Sequence, residues 1–521
     1  MSQFPKLIDS LKRAPSLTCG EGEAQIVETH ISYILLTDRF AYKIKKLVDL
    51  GFLDFTTLEK RRFYCEEELR LNRRLAPDLY LDIVAINGTE EQPIIDGAGA
   101  ILEYAVKMRR FDRSKELDRL VSGEDISKKH IDQLAADIAE FHDQADVADP
   151  QSRFSDLSGL HNRVTQNFDQ VAKCAQCLDG SSTLERLQQW TDKSLSVHAH
   201  DFENRKRYGF VRECHGDLHL GNMFLQGDRV TLFDCLEFSE DLRWIDVMSD
   251  MAFLVMDLDY RERDDLSRRL LNRYLEHSGD YAGLRILPHY LVYRAMVRAK
   301  VACIRLQQSG VDVAQQSVLA QEVRDHLGLA TRYAEGHGNT PLIVMHGVSG
   351  TGKSYLSEVL FEQVDAIRIR SDVERKRLFG RQGAEQLQDG LDEGIYAPQG
   401  TYKTYHRLLE LAKVIIQSGY PVIVDATFLK HSRRAMFHEL AKQLDVPFRI
   451  LDLRASQAVL RERVMTRLET GADPSDADLA VLEHQCRTKD PFVADELPCA
   501  ISVDTDEDID MELLLRSLGL M

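Results

Sequence analysis

Asp217 and Asn222 stand five residues apart in His215-Gly-Asp-Leu-His-Leu-Gly-Asn222, and Asp234 follows twelve residues later, after the apolar run Val230-Thr-Leu-Phe233. One carboxylate to take a proton from a hydroxyl, one amide oxygen and one further carboxylate form an all-oxygen set suited to magnesium and to phosphoryl chemistry. In this spacing Asp217 is the candidate base, Asn222 and Asp234 are the candidate magnesium ligands, and His215 braces the loop backbone. A second pattern, Gly347-Val-Ser-Gly-Thr-Gly-Lys-Ser354, directly follows the apolar run Pro341-Leu-Ile-Val-Met345. Its glycines let the chain turn so that backbone N–H groups face phosphates, helped by the N-terminus of the next helix. Gly347, Ser349, Gly350, Thr351 and Gly352 shape that cradle, Lys353 reaches the outer phosphates, and the Ser354 hydroxyl ligates magnesium. Each pattern is a way of holding a nucleoside triphosphate, so two such sites are expected on one chain.

The first set needs a lysine on a strand to reach the phosphates and a glutamate on the following helix to orient it. Lys43, in Phe40-Ala-Tyr-Lys-Ile-Lys45, is the candidate, and Lys45 on the same face is its rival. Among Glu66, Glu67 and Glu68, Glu68 shares a helical face with Leu75 and is preferred; a solvated helix face is the alternative. In the second half, Asp425 closes the apolar strand Tyr420-Pro-Val-Ile-Val and reads as a metal-side carboxylate or as a turn cap. Asp372 and Arg375 fall on adjacent turns after the second strand of that half. Asp372 suits the role of acceptor-side base and Arg375 that of a grip on an acceptor phosphate or carboxylate; a helix cap with a surface arginine is the plainer reading.

The elements that must position these residues change character along the chain. Segments 31–36 and 40–45 read as a hairpin about Thr37-Asp-Arg, a helix runs from about 57 to 75 with Thr56 or Thr57 as cap, and 81–86 and 100–106 read as strands. From about 127, amphipathic helical patterns dominate: 131–141, 184–197, 266–275, 291–306 and 313–333, interrupted by short strands at 223–225 and 230–233. After the polar, glycine-containing stretch 334–341, strands at 341–346, 366–371, 420–425, 447–452 and 500–503 alternate with helices, the pattern of a covered parallel sheet. The expected architecture is an α+β bilobal domain over 1–335, with a sheet lobe at about 25–110 and a helical lobe at about 111–335, followed by an α/β domain over 336–521.

A chain of 521 residues exceeds one core. Its formal net charge of -18 disfavours long nucleic acid as a partner. No signal peptide or membrane-length apolar run is evident, and nine scattered cysteines fit reduced thiols, so a cytoplasmic setting is expected. Cys174-Ala-Gln-Cys177 is the sole C-x-x-C and reads as incidental thiols rather than a metal or redox pair.

Residues 215–238 resemble the aminoglycoside phosphotransferase and choline kinase-like superfamily, a branch of the protein-kinase-like fold. The resemblance spans about 30–330 and implies Asp217 as base, Asn222 and Asp234 as magnesium ligands, and Asp250 as a buried structural acid. One departure is the lack of a glycine-rich nucleotide loop before Lys43. Residues 340–521 resemble P-loop kinases of the polynucleotide kinase, zeta toxin and gluconate kinase type, through 347–354, Asp372-x-x-Arg375, Asp425-Ala-Thr427 and the helix 460–467. The last is similar to a lid helix, which implies Arg463 and Arg467 as residues that neutralise the moving phosphoryl group; a solvated basic face is the alternative. Together the chain resembles fusions of an aminoglycoside phosphotransferase with an AAA-family ATPase domain. The expectation is an ATP- and magnesium-dependent phosphotransferase, with two nucleotide sites and small-molecule hydroxyl acceptors. A P-loop switch regulating a single kinase is the second reading, and a protein or nucleic-acid 5'-hydroxyl kinase the third. The sequence leaves the acceptors and the oligomeric state open.

Overall fold

The computed structural model describes residues 4–14, 24–49, 51, 53–175, 181–308, 312–336, 338–380, 397–470 and 479–521. They form two compact units, Met1–Arg263 with Tyr293–Leu327, and Asp264–Val292 with Gly328–Met521. This differs from the single cut expected between 335 and 336. The reason is the helix Asp264–Ser278, whose polar face is committed to the second unit: Asn272, Arg269 and Glu276 all bond residues between 358 and 370.

In the first unit, β1 (Gln25–Glu28), β2 (Ser32–Leu36), β3 (Phe40–Lys45), β4 (Tyr80–Gly88), β5 (Pro93–Ile95) and β6 (Ile101–Arg109) form an antiparallel sheet of order β1-β2-β3-β6-β4-β5. Alternation along β3 sends Tyr42 and Ile44 to one core, with Leu7, Ile8 and Leu11 of the helix Phe4–Leu11. The other face carries Ala41, Lys43 and Lys45 toward the helix Leu58–Asn72, which Thr57 caps by accepting the Lys60 N–H. The edge strands β1 and β5 and the helix Phe4–Leu11 went unread in the sequence because each is too short to show a period.

Beyond the sheet, β7 (Val211–Glu213) pairs with β10 (Trp244–Asp246), and β8 (Met223–Gln226) pairs with β9 (Arg229–Leu232). The β8–β9 hairpin carries Asn222 at its entry and Asp234 just past its exit, which brings two residues twelve apart in sequence to one end of a ribbon. The helix Val247–Tyr260 is buried on every side from Val247 to Leu258, so it has no polar face for a periodicity argument to detect.

The second unit is built on β11 (Leu342–His346), β12 (Ile367–Arg370), β13 (Val422–Asp425), β14 (Phe448–Arg454) and β15 (Ala500–Asp504), all parallel in the order β12-β13-β11-β14-β15. Five continuous buried residues make β11 a central strand, covered on both faces. Edge strand β12 is closed by a side chain instead of a strand: Asn272 Nδ2 donates to the Ala366 carbonyl at 3.1 Å and Asn272 Oδ1 accepts the Arg368 N–H at 2.8 Å.

Candidate active sites

The catalytic-type loop of the first unit is fixed from behind. Asp250, fully buried on the helix Val247–Tyr260, accepts the N–H groups of His215 and Gly216 at 3.0 Å each and faces His142 Nε2 at 3.2 Å. His215 spans the loop: its Nδ1 accepts the Asp217 N–H at 3.3 Å, while Nε2 donates to the Phe233 carbonyl at 2.9 Å. That pattern requires the neutral Nε2–H tautomer. Gly216 sits at φ +84, and a Cβ there would lie 2.9 Å from the Leu242 carbonyl oxygen, so glycine is needed between His215 and Asp217.

Asn222 Nδ2 donates to the Asp217 carbonyl at 2.9 Å and to its Oδ2 at 3.0 Å. The amide is thereby oriented, and its Oδ1 is the oxygen left for a cation. His219 accepts the Gly221 N–H through Nδ1 at 3.1 Å and places Nε2 3.4 Å from Asp217 Oδ2. Burial would raise the Asp217 carboxyl, but the His219 contact and the Arg294 guanidinium outweigh it and hold its pKa below the ordinary carboxylate range. Asp217 is therefore ionised at neutral pH.

Lys43 Nζ lies 2.8 Å from Glu68 Oε1 and 2.6 Å from Asp234 Oδ1, joining the sheet, the helix Leu58–Asn72 and the β8–β9 hairpin at one point. Its rival Lys45 is fully buried beside it and pairs with both Glu68 and Glu237. The two lysines thus share Glu68, the glutamate preferred from helical phase. Burial alone would lower the Lys43 ammonium, yet Asp234 and Glu68 raise it well above its ordinary value. Burial likewise opposes the Glu68 charge, but Lys43 and Lys45 bring its pKa down to about 2. Asp234 takes φ +64 and donates its N–H to the Tyr80 hydroxyl at 3.2 Å. Glu237 and Tyr80 were not singled out in the sequence; Glu237 follows Asp234 in Asp-Cys-Leu-Glu, but nothing in its local pattern marks it as the counter-ion of Lys45.

In the second unit the loop 347–354 joins the carboxyl end of β11 to the helix Lys353–Gln363. Gly347, Gly350 and Gly352 all have positive φ, and a Cβ on Gly347 would meet the Leu453 carbonyl at 3.0 Å. Lys353 Nζ donates to the Val348 carbonyl at 2.8 Å, back across the loop it belongs to. The Ser349 N–H donates to Gln485 Oε1 at 2.7 Å, a contact from the helix Leu479–Thr488 that the sequence did not suggest.

Asp425 ends β13 beside this loop, 6% exposed; burial raises its carboxyl, against the pull of Arg370 and Arg368. Asp372 lies in the first turn of the helix Ser371–Leu378 and is gripped by Arg370: Arg370 Nη2 donates to Oδ2 at 2.6 Å and Nε to Oδ1 at 3.2 Å. Arg375 is half-buried on the same helix. Arg463 donates to the Thr505 carbonyl at 2.8 Å and to the Thr505 hydroxyl at 3.0 Å, with the Gly350 carbonyl at 3.4 Å, so its guanidinium ties the loop 347–354 to Thr505. The side chain of Arg467 lies outside the described residues, as does Cys177; Cys174 is buried. Among the described residues no helix is long and apolar enough to cross a membrane.

A family model described as "Phosphotransferase enzyme family" matches residues 65–287, and one described as "AAA domain" matches residues 342–492. Uncharacterized protein Rv2004c of Mycobacterium tuberculosis is 31% identical over 448 residues, 86% of this chain and 86% of that protein. Uncharacterized protein Mb2027c of Mycobacterium bovis matches to the same extent, 31% identical over 86% of each chain. Among solved structures, a choline/ethanolamine kinase family protein from Mesorhizobium loti is 12% identical, covering 64% of this chain and 100% of its own, with a TM-score of 0.38. A gluconokinase from Sinorhizobium meliloti is 23% identical, covering 34% of this chain and 89% of its own, with a TM-score of 0.24.

Proposed function

We propose that this chain, a phosphotransferase that belongs to the family of these mycobacterial proteins and joins a phosphotransferase-family domain to a P-loop kinase-like domain, transfers the γ-phosphate of ATP to small hydroxyl acceptors at two sites. The observation that carries the reading is the convergence at Lys43, whose ammonium meets Glu68 and Asp234 from 25 and 191 residues away in sequence. Such a lysine, oriented by a helix glutamate and set beside a strand-end aspartate, is what a triphosphate needs at its outer phosphates.

At the first site, Asp217 accepts the proton of the acceptor hydroxyl. Its carboxylate is held ionised, and Asn222 Nδ2 fixes its orientation. Asn222 Oδ1 and the Asp234 carboxylate are the hard oxygens that would hold magnesium, which when bound supplies charge neutralisation for the phosphates. Lys43 reaches the phosphates and Glu68 keeps it aimed. At the second site the backbone of 347–352 and Lys353 cradle the phosphates, Ser354 and Asp425 would hold magnesium, Asp372 takes the acceptor proton and Arg375 grips an acceptor anion. Arg463 braces the loop, and the lid-helix resemblance gives Arg467 the neutralisation of the transferred group. Catalysis at both is positioning and charge stabilisation.

Calorimetric titration with ATP and magnesium tests the count of sites. Two binding events are expected for the native chain, and one each for Lys43→Ala and Lys353→Ala. Metabolite profiling of cells carrying Asp217→Ala or Asp372→Asn then identifies the acceptors. A chain that binds ATP at neither site overturns the proposal, and one that binds at 347–354 but loses no product on Asp372→Asn favours the switch reading for that unit.

A further inference from the structure

We propose that Glu276 is a positioning residue of the second site, holding Arg370 so that Arg370 presents Asp372 to the acceptor and stays off Asp425. This rests on the reading of that site given above. Glu276 lies on the helix Asp264–Ser278, inside the segment matched by the phosphotransferase-family model and outside the segment matched by the AAA model.

The geometry is a chain of charge contacts within the second unit. Glu276 Oε1 accepts from Arg370 Nη1 at 3.4 Å, and Oε2 accepts from Arg368 Nη2 and Arg273 Nη1 at 3.1 Å each. Arg370 turns its other two nitrogens onto the Asp372 carboxylate as a fork, and the Val373 N–H adds a third donor to Asp372 Oδ1 at 2.9 Å. Side-chain exposure falls to 14% at Glu276, 10% at Arg370 and 19% at Asp372, so these charges are poorly screened.

Arg370 also stands directly opposite Asp425 in the β12–β13 register. One guanidinium therefore has three carboxylates about it. It grips Asp372 with one edge, is held by Glu276 on the other, and has Asp425 as the neighbour it must leave available for a cation. A planar fork fixed on both edges does not swing. Removing Glu276 takes its carboxylate from the Nη1 edge, and Asp425, opposite on the adjoining strand, is placed to draw the guanidinium. Asp372 would then lose its orientation while the phosphate loop is untouched.

The test uses the full-length protein carrying Asp217→Ala, which silences the first site. Phosphoryl transfer from ATP to a small-metabolite cell filtrate is measured with magnesium, alongside binding of a fluorescent ATP analogue. With Glu276→Gln, kcat is expected to fall about tenfold or more while ATP affinity and KM for ATP stay within about twofold. Glu276→Asp, which keeps the charge, is expected to recover part of that loss. Glu358→Gln removes a carboxylate paired with Arg269, Arg273 and Arg368, leaves the Glu276–Arg370 contact in place, and reports the structural effect of losing a neighbouring charge from the same cluster. The inference is overturned if Glu276→Gln turns over like its parent, or if it loses affinity, rate and thermal stability together to the same extent as Glu358→Gln. Should Lys353→Ala and Asp372→Asn leave turnover unchanged, or the parent show none, the reading of the second site itself fails. If both abolish turnover and Glu276→Gln does not, only the role of Glu276 fails.

Discussion

Glu68 is the shared counter-ion of Lys43 and Lys45 in the first unit. It is fully buried and neutralises two buried lysines at once. Glu68→Ala leaves both cations short of a partner in a low-dielectric setting, and breaking a buried pair this way costs about 3–5 kcal/mol. Urea denaturation followed by circular dichroism should report that loss, together with weakened ATP binding at the first site. Glu276 makes the corresponding pH prediction in the second unit. Burial opposes its charge, but Arg368, Arg370 and Arg273 bring its pKa down to about 2 from an ordinary 4.5. A depressed carboxyl stabilises the fold fully above its unfolded value and loses that contribution as pH falls toward the folded one. The stability gap between the native chain and Glu276→Gln should therefore be widest at about pH 6 and shrink on acidification toward about pH 3, as read from urea midpoints. A gap that grows on acidification would contradict the assignment.

At the level of elements, the first site depends on a loop conformation that only one residue type allows. Gly216→Ala places a Cβ at left-handed φ against the backbone of Leu242, which cannot yield as a flexible side chain would. A destabilisation of about 1–3 kcal/mol is expected, accompanied by loss of first-site phosphoryl transfer while ATP still binds at 347–354. The hairpin β2–β3 shows how the absent glycine-rich loop is resolved: three residues, Thr37 to Arg39, close the turn, and the Thr37 hydroxyl donates to the Phe40 carbonyl at 3.0 Å and accepts its N–H at 3.1 Å. A turn that tight has no glycines to fold over phosphates; under the proposed reading that task falls to Lys43 and the β8–β9 hairpin.

Across the whole molecule, the chain passes from the first unit to the second at 263/264, returns at 292/293, and leaves again at 327/328. The P-loop unit therefore includes residues encoded well before its own motif. A fragment of residues 336–521 lacks Asn272, which closes the β12 edge, and Glu276, which neutralises Arg368 and Arg370. It is expected to express as aggregate or to unfold at lower temperature than a fragment beginning near 264, and comparing the two by thermal melting decides the point.

The motifs of the two candidate sites were legible in the sequence because backbone geometry forces their spacing. A loop that turns a catalytic-type aspartate toward an amide five residues on, or folds N–H groups about phosphates, tolerates few alternatives, so Asp217, Asn222, Gly347 to Gly352 and Lys353 announce themselves locally. Alternation along β3 put Lys43 and Lys45 on one face, and helical phase singled out Glu68. Strands β11 and β13 were equally plain, since burial on both faces leaves continuous apolar runs. The sequence could not say that Lys45 pairs with Glu237 192 residues away, or that Arg370 holds Asp372. Nor could it say that Asn272 stands in for a sheet strand. The first and last join residues far apart in sequence through the close approach of packed elements, and the second is a choice of side-chain direction at a strand end; no local period encodes either.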